Sequence, residues 1–451
     1  MKISKAQFEV NGGIHPKYHK ELSSAKAIET MPVAPLLKVS MSQHLGAPAK
    51  PIVKKGDVVL RGQLIGEAAG FISAPVHAPT SGTIAAIGEA ATVIGSTAAI
   101  IEITPDGNDT WLEGLEGIPD WKSTDAKTLI AKIASCGVAG MGGAGFPTNV
   151  KLSPPPDKPI DTLILNGAEC EPYLTADNRL MIEHANEIAI GCQIITKILN
   201  AKTVRIAIEN NKPEAIAAMQ KAIQVIDGDI AVIALKTEYP QGAEKQQIYA
   251  ITGREVPSGG LPMAVGCVVE NVSTTLAVWD AVLNGKPLTE RVTTVTGSPV
   301  NEPKNILERI GTPYADLLEF CGGLKSDVAK IISGGPMMGL AQPGIDITTT
   351  KTTSGILFLA PEETETFTSM PCIGCGRCIE ACPMSLVPAE LSQMLEAEDY
   401  EAAEELNVLD CIECGSCAFV CPAHRPLVQH MKLGKSKIML KRRQEQQNNK
   451  K

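Results

Sequence analysis

Between Pro51 and Ile103, short runs of Val and Ile alternate with Gly, Pro and other turn residues. This pattern predicts a small all-β unit. From Thr124 the period changes. Ala126–Ala134 has helical spacing, a glycine-rich loop follows at Gly137–Gly145, and Thr162-Leu163-Ile164-Leu165 reads as a short buried strand bounded by turn signals. Met181–Asn200 and Pro213–Ile226 read as amphipathic helices, Val204–Ile208 and Ile230–Leu235 as strands. Strands alternating with helices predict a parallel α/β sheet. After turn-rich stretches at Pro257–Leu261 and Asn284–Pro287, Arg291–Ile356 returns to short β-prone runs around one helix at Tyr314–Phe320. Thr348–Glu365, rich in Thr and Glu, reads as a linker. Leu386–Leu406, rich in Ala, Glu and Leu, predicts helices. The expected fold class is multidomain, α/β and α+β, divided at 1–120, 121–285, 286–360, 361–430 and a disordered basic tail at 431–451.

The 451-residue chain is 44% hydrophobic, enough to bury real cores, and its net charge of -9 argues against a general nucleic-acid binder. No basic patch alternates with aromatics as single-strand binding would require. No segment approaches the ~18 apolar residues of a membrane-crossing helix, and Met1–Val10 lacks the apolar core of a signal peptide. The expected location is the cytosol or the cytoplasmic side of a membrane. The tail from Met431 carries eight Lys/Arg against one Glu. A solvated end is the simpler reading of it, and contact with anionic lipid or an acidic neighbour the other.

In a reducing compartment, clustered cysteines read as metal ligands. Cys372-x2-Cys375-x2-Cys378-x3-Cys382-Pro383 recurs as Cys411-x2-Cys414-x2-Cys417-x3-Cys421-Pro422, the two-cluster ferredoxin run. Three thiolates spaced two apart wrap one face of a cubane, and the fourth points away to the second cluster. One 4Fe-4S cluster is therefore assigned Cys372, Cys375, Cys378 and Cys421, and the other Cys411, Cys414, Cys417 and Cys382. The bland alternative, two zinc knuckles, calls for isolated cysteine pairs instead of this repeat with its trailing proline. The other five cysteines, at 136, 170, 192, 267 and 321, are scattered and read as small buried hydrophobes.

The loop from Gly137 to Lys151 lacks the Gly-Lys-Ser/Thr ending of a P-loop. Its glycines let backbone N–H groups approach a phosphate or a flat ring, with Lys151 as a nearby cation; a plain turn before a helix is the competing reading. Four blocks carry more weight: Gly140–Lys151, Asn166–Pro172, Tyr239–Glu244 and Glu270–Thr274. In this order they resemble the flavin domain of the 51-kDa NADH-binding subunit of respiratory complex I. By that resemblance Gly140, Gly142, Gly143, Gly145, Lys151, Asn166, Asn271 and Thr274 would cradle FMN. Glu169, Glu171, Tyr239 and Glu244 would line the flavin or nicotinamide side, with Phe146 beside the rings. Ala168 and Ala243 stand where that family has carboxylates, which makes the NAD(H) side the part that departs.

Val53–Val58, Gly62–Ile65 and Ala78–Ile84 resemble the barrel-sandwich hybrid of biotinyl and lipoyl domains. No lysine occurs between Lys55 and Lys122, which argues against a swinging cofactor arm, and a structural or docking role is expected. Gly12-Gly13-Ile14-His15-Pro16, Gln43-His44-Leu45-Gly46-Ala47-Pro48 and Gly334-Gly335-Pro336-Met337-Met338-Gly339 complete the order. The whole chain resembles the C-subunit family of the Rnf electron-transport complexes. That resemblance implies a barrel-sandwich hybrid, a flavin domain, a soluble-ligand-binding (SLBB-like) β-grasp unit and a helical two-cluster ferredoxin domain. It implies a peripheral subunit exchanging electrons between NAD(H), FMN and two 4Fe-4S clusters, partnered by the other subunits and, through them, ferredoxin, and coupled to Na⁺ or H⁺ translocation. The alternatives are a soluble flavin and iron–sulfur reductase like the cobalamin reductases, or a non-catalytic iron–sulfur adaptor.

Overall fold

The fold was read from a computed structural model that describes residues 4–364 and 366–448. A five-stranded, all-parallel sheet has the order Ser4–Lys5, Asp229–Leu235, Thr203–Glu209, Thr162–Asn166, Cys267–Asn271. Its side chains alternate between two apolar layers, as a strand's period of two requires. Leu163 and Leu165 join the core beneath the helices Ala126–Ser135 and Ala185–Leu199, while Ile164 joins the core beneath Glu244–Thr252. Burial on both faces explains why this strand reads as one continuous apolar run.

The expected single helix Met181–Asn200 is two, Ala176–Glu183 and Ala185–Leu199, broken at His184. The α/β unit also recruits the chain's beginning, because Ser4–Lys5 forms its edge strand.

Leu37–Ser40, Thr97–Pro105, Gly82–Ala91 and Val58–Val59 form one antiparallel sheet of the N-terminal β unit. Lys50–Pro51, Leu64–Glu67 and Val76–His77 form the other. Val39, Met41, Ile65, Val76, Ile84 and Ile101 fill the space between them.

The third unit is a six-stranded mixed sheet in the order Leu340–Gln342, Lys330–Ser333, Gly355–Leu359, Glu290–Thr296, Lys304–Arg309, Glu29–Thr30, against the helix Tyr314–Phe320. Here the linker expected at Thr348–Glu365 is corrected. Gly355–Leu359 is a wholly buried strand inside this sheet, and Thr349 to Thr353 are mostly buried beside it. Thr and Glu look solvated in a composition count, but these threonines bond to one another and to Glu308. Glu365 lies outside the described residues.

The C-terminal unit is helical. Pro388–Glu396 and Tyr400–Glu405 fill the interval between the two cysteine runs. The expected disordered tail is instead the outer part of a helix, Leu427–Asn448; 449–451 lie outside the described residues. Its Met431 and Ile438 enter the core with Leu391 and Leu395, and Gly434 lets Leu395 in where a Cβ would sit 2.2 Å from its methyl. Three of its basic residues are partnered: Lys435 with Glu413, Lys441 with Glu401 and Arg442 with Glu404. Composition alone missed this because the acidic partners lie 22 residues upstream for Lys435, 40 for Lys441 and 38 for Arg442. Among the described residues no helix is long and apolar enough to cross a membrane.

Candidate functional site: two cysteine quartets and a glycine loop

The eight cysteines surround two cavities, crosswise as the spacing predicts. Cys382, Cys411, Cys414 and Cys417 line one, and Cys372, Cys375, Cys378 and Cys421 line the other. The two runs repeat one another in backbone as well as in sequence. Gly374 and Glu413, Gly376 and Gly415, and Ser385 and His424 all have positive φ at matching places. These turns bring N–H groups onto sulfur: Gly374 N to Cys372 Sγ at 3.5 Å, Glu413 N to Cys411 Sγ at 3.4 Å, and Leu386 N to Cys382 Sγ at 3.4 Å. Burial pushes the Cys411 thiol up to about 11, with Cys414 and Cys382 adding to it. Bound iron would reverse that, since a metal deprotonates its thiol outright.

Among the described residues no three His, Cys, Asp or Glu side chains draw together tightly enough for a single ion. A zinc site brings its sulfurs to about 2.3 Å from one point. Four sulfurs spaced around a cavity instead suit a cubane, in which each thiolate takes its own iron.

The cavity of Cys382, Cys411, Cys414 and Cys417 is the inner one. Tyr239, fully buried, donates its hydroxyl to the Cys414 carbonyl at 2.7 Å, and Gln246 Nε2 donates to the Pro383 carbonyl at 2.9 Å. Gly13 N donates to Ala381 O, and Gly12 (φ +70) lies so close that a Cβ would be 2.7 Å from the Cys382 carbonyl. Ile14 exchanges both backbone hydrogen bonds with Tyr239 and packs with Cys170, Ala381 and Cys414. The cavity of Cys372, Cys375, Cys378 and Cys421 is the outer one. Only residues between 372 and 427 line it, Cys375 is exposed, and Ile373 is 69% exposed.

The flavin blocks converge at the carboxyl edge of the parallel sheet. Asn166 and Asn271 end neighbouring strands and sit in register. The chain runs outward from Thr162–Asn166 on one side and later crosses back to place Cys267–Asn271 on the other. The crevice between them is a topological switch point, where open α/β sheets bind ligands. Over it lies the glycine loop, with Gly142, Gly143 and Ala144 exposed. The loop is fixed from several sides. Met141 N donates to Thr274 Oγ1 at 2.9 Å, and Gly140 N donates to Phe146 O. Gly142 rests on Asn271, where a Cβ would lie 2.7 Å from the amide nitrogen.

Lys151 bonds Glu244 at 2.9 Å. Burial alone would lower its pKa, but Glu270 and Glu244 overcome that and hold the ammonium above the ordinary lysine range. Glu270 Oε1 and Gln247 Oε1 are buried without a partner, beside Asn166, which accepts from Gln247 Nε2 at 2.7 Å. An exposed glycine backbone, a held cation and orphaned acceptors fit a phosphorylated flat ring.

Three expected site residues have hydrogen-bond partners within the fold. Glu171 accepts from Met337 N at 3.0 Å and Met338 N at 2.8 Å, so both carboxylate oxygens are committed to the Gly334–Gly339 loop of the third unit. Gly335 is required there, because a Cβ would fall 2.3 Å from Glu171 Oε2. Glu169 accepts from Asp177 N and Asn178 N at the start of the helix Ala176–Glu183. Tyr239 holds the inner quartet.

Residues that the sequence did not single out also take part. Asp177 accepts from Asn271 Nδ2 at 2.7 Å. Lys20 donates to the carbonyls of Glu169, Glu171 and Leu174. Gln246 and Gln247 follow the Tyr239–Glu244 block and could have been found by extending it, and Glu270 opens the Glu270–Thr274 block without having been assigned a role. Lys20 carried no local signal. The five scattered cysteines are all buried.

Comparison with known proteins follows the same division. Residues 8–108 match the RnfC barrel sandwich hybrid domain, 133–280 the Nuo51 FMN-binding domain, 292–341 the SLBB domain and 365–439 the 4Fe-4S dicluster domain. The chain is 50% identical to the C subunit of the proton-translocating ferredoxin:NAD(+) oxidoreductase complex of Clostridium ljungdahlii, over 94% of this chain and 93% of that one. It is 45% identical to the C subunit of the ion-translocating oxidoreductase complex of Rhodobacter capsulatus, over 96% and 83%. It is 44% identical to the C subunit of the Na(+)-translocating ferredoxin:NAD(+) oxidoreductase complex of Acetobacterium woodii, over 96% and 97%.

Proposed function

The chain belongs to the family of C subunits of ion-translocating ferredoxin:NAD(+) oxidoreductase complexes, and from that premise we propose how its parts share the work. It is an oxidoreductase subunit that transfers electrons between NAD(H), FMN and two 4Fe-4S clusters, and it works with the other subunits of the complex and with ferredoxin. FMN supplies the conversion between the two electrons of a hydride and the single electrons that clusters carry.

Gly140, Gly142, Gly143, Gly145, Lys151, Asn166, Asn271 and Thr274 hold the FMN, with Glu244 and Glu270 setting the charge around Lys151. Cys382, Cys411, Cys414 and Cys417 hold the cluster nearer the flavin unit, and Cys372, Cys375, Cys378 and Cys421 hold the one nearer the partner. The working units are 1–120, 121–285, 286–360 and 361–430, closed by a basic helix. The subunit sits peripherally on the cytoplasmic face of the membrane, and the complex couples electron flow to Na⁺ or H⁺ movement.

The observation that carries this reading is the bolting of the inner quartet, through Tyr239 and Gln246, to the unit that carries the glycine loop. The test is anaerobic purification, addition of FMN, and an NADH titration followed by visible absorbance and electron paramagnetic resonance. Stoichiometric FMN, bleached by NADH and followed by cluster signals, is the expected result. Eight irons with no flavin bound after FMN addition, and no reduction by NADH, would replace this reading with the adaptor.

A further inference from the structure

Beside the glycine loop lies a cavity of about 220 Å³. Three units build it: Ser42, Gln43 and Leu45 from the N-terminal β unit, with its hairpin residues Ile94 and Ala98; Thr350 and Thr352 from the third unit; and Ala144 from the glycine loop itself. The Gln43–Pro48 phrase, which the flavin resemblance left without a role, clamps that loop. Leu45 N donates to Gly145 O at 3.0 Å, and a Cβ on Gly145 (φ +69) would lie 2.5 Å from Thr352 Cγ2 and 3.2 Å from His44 Cα.

The lining carries no acidic side chain, no lysine and no arginine; its polar groups are hydroxyls, one amide and one imidazole. Burial holds His44 below the ordinary histidine range, and its Nε2 lies 2.9 Å from Ala74 N and 3.1 Å from Ala74 O. Gln43 is 2% exposed; its Oε1 accepts from Lys351 N, but its Nε2 has no partner. A buried donor without an acceptor is costly, and a ligand acceptor would recover that cost.

We propose that this cavity is the subsite for an uncharged nucleoside moiety of the dinucleotide, with ring against Leu45 and Ile94 and hydroxyls toward the Thr and Ser wall. Phosphate is disfavoured there, since no cation lines the space. Whole drug-sized ligands fill about 300–1,000 Å³, so the space suits a ring with its sugar and leaves the rest of the dinucleotide over the exposed glycine backbone. The nicotinamide-side departures at Ala168 and Ala243 are then matched by recognition from two units outside the flavin fold. The proposal rests on the reading that this chain exchanges electrons with NAD(H).

The test uses the full chain with FMN added, and compares wild type with Ala98→Phe, which fills the cavity from a half-exposed hairpin strand, and Ile94→Glu, which places a negative charge at its rim. Adenosine and reduced (dihydro) nicotinamide riboside, both uncharged, are the probes, followed by ligand-observed NMR, alongside NADH titration and FMN affinity. A nucleoside signal in wild type that Ala98→Phe abolishes is expected, with NADH affinity lowered about tenfold or more in both variants and FMN affinity unchanged. Ile94→Glu should weaken NADH, which carries phosphates, more than it weakens the free nucleosides. It is also the control should Ala98→Phe fold poorly. Equal nucleoside signals and equal NADH affinity in wild type and both variants would overturn the subsite while leaving the electron-transfer reading intact. Failure of NADH to reduce flavin-loaded wild type would overturn that reading, and the nucleoside arm would still decide the cavity.

Discussion

The two cysteine quartets share spacing, backbone turns and N–H···S bonds, yet their surroundings have little in common. The inner quartet is held by Tyr239 and Gln246 of the α/β unit, by Gly12 and Gly13 of the N-terminal segment, and by Met337 of the third unit, which packs beside Cys414. The outer quartet is lined by its own unit alone and has Cys375 at the surface. A duplicated motif supplies identical ligands, and the environment then separates their roles. Hydrogen bonding to sulfur and solvent exposure are what tune such clusters, and the two quartets differ in exposure: one lies against the interior, the other has Cys375 at the surface.

The largest expected effect comes from the cysteines themselves. Cys414→Ala and Cys375→Ala should each lose one cluster, leaving about four of eight irons. Cys414→Ala should also loosen the seat, seen as faster hydrogen exchange at Ile14, Ala381 and Tyr239, whereas Cys375→Ala should affect only its own turn. Equal spread of the two effects would break the comparison.

Next is Tyr239→Phe, which leaves the Cys414 carbonyl without its donor. It should cost about 1–3 kcal/mol, read as a lower melting temperature, with iron content retained.

Glu171→Gln sharpens the comparison through pH. Burial raises Glu171 above its ordinary 4.5, and the Met337 and Met338 N–H groups oppose this without cancelling it. From pH 4.5 up to its folded value, the folded chain therefore holds a proton that the unfolded chain has released. Stability must fall as pH rises through that window. Melting curves from pH 4 upward should show this decline in wild type and a flatter profile in Glu171→Gln; matching slopes would remove Glu171 from the account.

At the outer quartet, Ile373→Ser should shift stability by no more than about 0.5 kcal/mol. Arg442→Ala, which removes a half-exposed pair with Glu404, should also cost about 0.5 kcal/mol or less. A large loss in either would mean that the outer face carries structural weight in the isolated chain.

Much of the site was legible in the chain itself. The crosswise quartets follow from spacing alone, because two-residue and three-residue gaps fix which thiols can share one cubane face. The glycine loop, Asn166 and Asn271 were legible because they are blocks of sequence with their neighbours attached. Glu171 and Tyr239 belonged to the same blocks, but their partners were not legible, since nothing near them in the chain announces Met337 and Cys414. The buried strand Gly355–Leu359 was partly hidden beneath a Thr- and Glu-rich composition, and the C-terminal helix behind a run of lysines whose acidic partners lie far upstream.

By itself the sequence determined what is local: the spacing of the cysteines, the backbone turns that glycine permits, the period of each strand and helix, and the order of the units. Only the tertiary structure decided which quartet faces inward, where Glu171 directs its charge, and that three units close a neutral cavity beside the glycine loop. Those outcomes rest on contacts between residues up to about three hundred positions apart, such as Lys351 N with Gln43 Oε1. Such contacts form because buried donors must find acceptors wherever the packed chain brings them, and no local pattern records where that will be.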